Sequence, residues 1–220
     1  MIDIAKITLV LGFSSFFVAG IGISPVSAAS PGQEIKDAAN QVLKIVNDPK
    51  LKGENNRNAR RAKLRETIFP RFDFSEMAKR TLGNHWGRNP DKQREFVKAF
   101  TQLLEESYAD QIEAANADKV VFVNERIEGN FAEVSTKVVS PKGEETPIIY
   151  KLHQVGSEWK VYDVIIANIS LVNNYRSQFN RVLVNESLDE LIKRIKEKTR
   201  LSDAKSRRYS HSVGKYLQQS

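Results

Sequence analysis

Asp163, Tyr162 and Tyr150 are the residues of this 220-residue chain best placed by type and surroundings for acid–base work. A carboxyl or phenol set among apolar neighbours can have its pKa moved toward proton transfer. Strand parity works against a joint role, since Tyr162 and Asp163 are adjacent and adjacent strand residues point to opposite faces unless a bulge intervenes. Asp163 is therefore assigned to structural hydrogen bonds near the end of its strand. Ser170 is a candidate nucleophile, but it has no histidine at a suggestive spacing and no Gly-x-Ser-x-Gly elbow around it. The three histidines, His85, His153 and His211, are far apart and lack metal-ligand spacing. The absence of cysteine excludes thiol chemistry and zinc–cysteine sites. There is no glycine-rich phosphate loop and no dinucleotide fingerprint. The expectation is no catalytic residue, no metal and no cofactor.

The segment that carries these residues says more than they do. Trp159 to Ile166 is β-branched and aromatic enough for a buried strand. It runs straight into an amphipathic helix with Ile169, Val172, Tyr175, Phe179, Val182 and Leu183 on one stripe. A buried strand followed by a helix with an aromatic-aliphatic face describes the wall of an apolar core or cavity. Such a wall holds an apolar ligand more readily than it transforms one.

The first residues read as an export signal. Ile7 to Ile23 is an apolar run broken by glycine and serine, and Ser24-Pro25-Val26-Ser27-Ala28 supplies small residues for cleavage after Ala28. An exported chain without cysteine must be stabilised by its core rather than by cross-links. The formal charge of +7 is unevenly spread: residues 200–220 hold five cations and one acid, a net +4. This tail is expected to be disordered, and attraction to an anionic membrane surface or an acidic partner suits it better than nucleic acid. A nucleic-acid patch would be built into the fold among aromatics. The expected organisation is a signal peptide over 1–28, one α+β domain over 30–199 and a basic tail over 200–220.

Within the domain, helices are expected over Glu34–Val46 and Arg60–Ile68. A short helix follows, capped by Asp73 with Glu76 in the capping-box position and closed by Gly83. Asn89-Pro90 opens a long helix to about Ala115, with Phe96, Phe100, Leu103, Leu104, Tyr108 and Ile112 as its inner stripe. From Val120 the period becomes strand-like, and the turns at Gly129-Asn130, Pro141-Lys142-Gly143 and Gly156-Ser157 give a four-stranded antiparallel meander. A last helix spans Leu188–Lys198, with Ser187 and Glu190 as a second capping box. Helices, then an antiparallel sheet, then helices is an α+β arrangement with helices on one sheet face.

Four ordered motifs carry a resemblance. They are Phe69-Pro70-Arg71-Phe72-Asp73-Phe74 with Met77-Ala78; Leu82-Gly83-x-x-Trp86; the Phe96/Phe100/Leu104/Tyr108 stripe; and Trp159-Lys-Val161-Tyr162-Asp163-Val164 followed by Ile169-Ser170-Leu171-Val172 and Asn174-Tyr175-Arg176-x-x-Phe179. Together, from about Gln33 to Lys198, they resemble the MlaC proteins, periplasmic phospholipid carriers also called the toluene-tolerance family. One departure is Ala167-Asn168, where the family usually has Glu-Gly; Asn tolerates the left-handed backbone such a turn needs. The resemblance implies an NTF2-like sheet wrapped by helices around an apolar cavity, with bound phospholipid as cargo. It implies a lipid site on Phe72, Phe74, Met77, Trp86, Phe100, Leu104, Tyr108, Tyr150, Val161, Ile169, Val172, Tyr175 and Phe179, with Arg176 near the headgroup. It also implies two membrane partners, an inner-membrane ABC transporter with a lipid-binding ring and an outer-membrane lipoprotein complex. The alternatives are a hopanoid or other lipid as ligand, an NTF2-like enzyme, or an interaction module in which the aromatics are plain core. A carrier reading predicts that the stripes of the two amphipathic helices face each other across a cavity.

Overall fold

A computed structural model describes residues 30–114 and 117–201. The expected export signal and nearly all of the basic tail lie outside these residues. Among the described residues, seven α-helices and five strands run in the order α1 (Pro31–Asn47), α2 (Arg57–Ile68), α3 (Phe74–Leu82), α4 (Asn84–Arg88), α5 (Gln93–Ala114), β1 (Lys119–Glu128), β2 (Phe131–Val139), β3 (Glu145–Val155), β4 (Glu158–Ile166), β5 (Ile169–Ser170), α6 (Leu171–Leu183) and α7 (188–201). None of these helices is long and apolar enough to cross a membrane.

The helix boundaries follow local chemistry. Ser30 caps α1 by accepting from the Gln33 amide, with Pro31 at the first helical position. Asp73 caps α3 through the Glu76 amide at 2.9 Å. The expected capping box is only half formed, because Glu76 turns to Arg80 at 2.8 Å and the Asp73 amide instead donates to the Val161 carbonyl at 2.9 Å. Asn89-Pro90 opens a 3-10 turn, Pro90–Lys92, and the long helix starts after it at Gln93.

The sheet is an antiparallel meander in the order β1-β2-β3-β4-β5. It has one strand more than expected: the two-residue β5, which folds back on Ile165 and Ile166. The turn between β4 and β5 places Ala167 at φ 46° and Asn168 at φ 69°. This is the left-handed pair that the Ala-Asn departure had to accommodate. Bulges at Val123 and Tyr162 leave those residues without a cross-strand partner, because Phe122 and Asn124 pair with Thr136 and Ser135, and Val161 and Asp163 with Leu152 and Lys151.

One sheet face carries Ala132, Val134, Thr136, Ile148, Tyr150, Leu152, Val161, Val164 and Ile166. The helices meet the sheet at its margins: α1 lies on β1 and β2, and α3 and α6 lie at β4. Ile35 joins the apolar cluster on this face, and Glu125 of β1 accepts from the Gly32 amide at 3.2 Å. The N-terminal half of α5 packs with α3 and α6 beside β4, and its end delivers the chain to β1 at the far edge.

Candidate functional site

The expected lipid residues fall into two apolar groups. Met77, Phe100, Leu104, Val172, Tyr175 and Phe179 are buried in a helical core between α3, α5, α6 and α7, and Phe74, Trp86 and Tyr108 pack half-buried against it. Tyr150 and Val161 belong to the sheet-face cluster, and Phe72 touches both groups. In the helical core the rings meet directly. Phe100 is edge-on to Tyr175 at 5.4 Å and to Phe179 at 5.9 Å, and Phe96 is edge-on to Phe179 at 5.7 Å. Such pairs add about 0.5–1.5 kcal/mol each beyond burial. The stripes of α5 and α6 are therefore in contact rather than facing each other across an open space.

Of two further expected positions, geometry corrects Ile169 and gives Arg176 a structural contact. Ile169 is not on the α6 stripe: it lies in β5, one residue ahead of the helix cap, and is 60% exposed. Arg176 is exposed on the outer side of α6, with its guanidinium over Gly83. This contact joins two motifs that are distant in sequence. Gly83 has φ 53° and ψ −122°, a conformation closed to side chains, and a Cβ there would come within 3.0 Å of Arg176 Nη2.

The candidate acid–base groups have structural partners. Asp163 is buried; its Oδ2 accepts from the Ser170 hydroxyl at 2.6 Å and its Oδ1 from the Val172 amide at 3.1 Å. The Ser170 oxygen in turn accepts from the Asn173 amide at 3.0 Å, as the N-cap of α6. A bulge does sit at Tyr162, yet the two side chains go to different neighbours. Tyr162 meets His153 and Phe131 edge-on and lies under the Arg80 guanidinium at 4.1 Å. Burial raises the Tyr162 phenol, partly opposed by Arg80. Burial also raises the Tyr150 phenol, partly opposed by the Thr136 hydroxyl. Both phenols therefore stay protonated at neutral pH. His153 pairs with Asp73 at 3.0 Å, and no group of three His, Asp or Glu able to hold a metal occurs among the described residues.

What remains is the middle of the sheet face. Ile148, Tyr150 and Ile166 are only half-buried there, between fully buried Val134, Leu152 and Val164. The Tyr150 phenol is nonetheless desolvated. Tyr108, half-buried against the helical core, has its phenol pushed up to about 12 by burial and by its contact with Tyr175. Ile148, Ile166, Ile35 and Leu171 were missed by sequence reasoning; the alternation of Ile148-Tyr150-Leu152 was the available signal. Also missed was a ladder of ion pairs joining four arginines of α2 to α5. The single-sign face of each helix would have revealed it.

Comparison with known proteins agrees with the fold. The chain is 23% identical over 178 residues to the intermembrane phospholipid transport system binding protein MlaC of Haemophilus influenzae, covering 78% of this chain and 83% of that protein. It is 26% identical over 165 residues to the toluene tolerance protein ttg2D of Pseudomonas putida, covering 74% and 77%. The fold matches a phospholipid-binding protein from Ralstonia solanacearum solved in complex with a phospholipid. The TM-score is 0.71 at 24% identity, over 80% of this chain and 99% of the other. The sequence profile of the MlaC protein family matches residues 36–197, and the chain belongs to that family.

Proposed function

We propose that this protein is a periplasmic phospholipid carrier that holds acyl chains between its sheet face and its helices. The observation that carries this reading is the half-buried apolar centre of the sheet, Ile148, Tyr150 and Ile166, beside helices that bury their aromatic stripes mainly against one another. The acyl chains would lie against Phe72, Tyr150, Val161 and Tyr108, with the headgroup toward solvent. Burying two chains of about sixteen carbons is worth on the order of 20 kcal/mol gross, at roughly 0.8 kcal/mol per CH₂. Few polar contacts are then needed.

The chain is read as exported, with its signal removed after Ala28, and as exchanging cargo with an inner-membrane ABC transporter bearing a lipid-binding ring and with an outer-membrane lipoprotein complex. Solvent extraction of protein purified from a bacterial host, followed by mass spectrometry, tests the cargo. The expected result is phospholipid in fixed ratio to protein. No lipid, with no uptake from labelled vesicles, would sink the carrier reading. Recovery of hopanoids alone would keep the carrier and change the cargo. Cross-linking in cells tests the partners: capture of neither envelope complex would refute that part.

A further inference from the structure

The two layers of helices are joined in different ways. α3, α5, α6 and α7 share an aromatic and aliphatic core. By contrast, α2 meets α5 through charge. Arg57, Arg60, Arg61 and Arg65 occupy one face of α2, at the spacing that aligns side chains along a helix. Opposite them stand Glu105, Glu106, Asp110 and Glu113 of α5. Arg57 reaches Asp110 at 2.5 Å, Arg60 reaches Glu113 at 2.5 Å, and Arg61 reaches Glu113 at 2.6 Å. Arg61 also pairs with Asp110 and with Glu106, the latter at 3.6 Å, and Arg65 grips Glu105 with two guanidinium nitrogens. Of the α2 side chains only Leu64 is fully buried.

These two kinds of seam respond differently to opening. Parting the aromatic interface exposes apolar surface to water. Parting the α2–α5 seam exposes guanidinium and carboxylate groups that water and salt ions can solvate, so its cost is smaller and falls with ionic strength. The seam also has the right place. α2 rests on α1, which covers β1 and β2, while α5 packs with α3 and α6, which lie at β4. The seam between α2 and α5 is therefore where the helices of the two sheet margins meet, with β3 and its Ile148 and Tyr150 between those margins.

We propose that the α2–α5 seam is the side gate through which acyl chains leave and reach the sheet face, held shut by the arginine–carboxylate ladder. This rests on the carrier reading above. The test is transfer of a fluorescent phospholipid from loaded full-length protein to vesicles of zwitterionic palmitoyl-oleoyl phosphatidylcholine. Wild-type release should accelerate from about 50 mM to about 500 mM NaCl, as screening weakens the ladder. Arg65→Glu should speed release roughly 5-fold, the rate equivalent of about 1 kcal/mol of ion pairing. Adding Glu105→Arg should return release close to the wild-type rate, a rescue that general destabilisation cannot produce. Glu113→Gln serves as a second variant, with the same expected acceleration. Leu191→Ala, which loosens the helical core, should leave release near wild type. Unchanged release in both Arg65→Glu and Glu113→Gln, or equal acceleration by Leu191→Ala, overturns the gate while leaving the carrier intact. A wild-type protein that takes up no lipid overturns both.

Discussion

Asp163 shows how a residue suited to chemistry can be consumed by architecture. Its two oxygens hold the Ser170 hydroxyl and the Val172 amide, which fixes the direction in which α6 leaves the sheet. A carboxamide in its place has a single acceptor oxygen and could hold only one of those donors, so Asp163→Asn should cost about 1–3 kcal/mol. The thermal midpoint of delipidated protein measures this, and lipid per folded protein should stay at the wild-type value. Tyr108 makes a second prediction. Its folded pKa is raised from 10.0 to about 12. Above pH 10 the unfolded chain loses this proton before the folded one does, so the contribution is complete below about 10 and is lost as pH rises toward about 12. Urea unfolding across that range should show a fall in stability that Tyr108→Phe makes shallower. Identical slopes in the two proteins would refute the assignment.

At the scale of elements, the β4–β5 turn and the α3–α6 contact set how the helices sit on the sheet. Ala167 holds a left-handed conformation that costs an L-residue about 1–2 kcal/mol. Replacement by glycine removes that strain and loses some of the gain to unfolded-chain entropy. Ala167→Gly should therefore stabilise by about 0.5–1 kcal/mol, read as a higher thermal midpoint. A lower midpoint would mean that the alanine methyl makes a contact worth more than the strain. Two helix starts were legible because capping is local: Asp73 and Ser187 each accept from an amide three residues on. The bulge at Tyr162 was not legible, because an extra residue in one strand is defined only by the strand opposite.

For the whole molecule, the two apolar clusters call for opposite responses to added volume. Ile148→Trp places an indole at the half-buried centre of the sheet, where the carrier reading puts the acyl chains. It should abolish lipid loading with little change in the midpoint of delipidated protein. Leu104→Trp places the same group in a packed helical core and should overpack it, costing about 1–3 kcal/mol. Lipid stoichiometry beside the thermal midpoint separates the two. Full loading in Ile148→Trp would move the acyl chains away from the sheet face.

The sequence by itself determined the α+β class, the order of helices and strands and the absence of a nucleophile–base pair. Each follows from periodicity, capping and spacing, which act over a few residues. The motifs also carried the family resemblance, because they record residue types in order. Only the tertiary structure decided which apolar stripe is packed core and which stays half-buried. Phe100, Tyr175 and Phe179 have the same helical periodicity whether they touch one another or a lipid. Ile148 and Tyr150 sit in a strand whose pattern does not say what stands above it. That choice depends on how the helices pack on one another and at the margins of the sheet, which is set by contacts between residues far apart in the chain. The arginine ladder is of the same kind: each charged face is visible in one helix, but the pairing exists only once α2 and α5 are brought side by side.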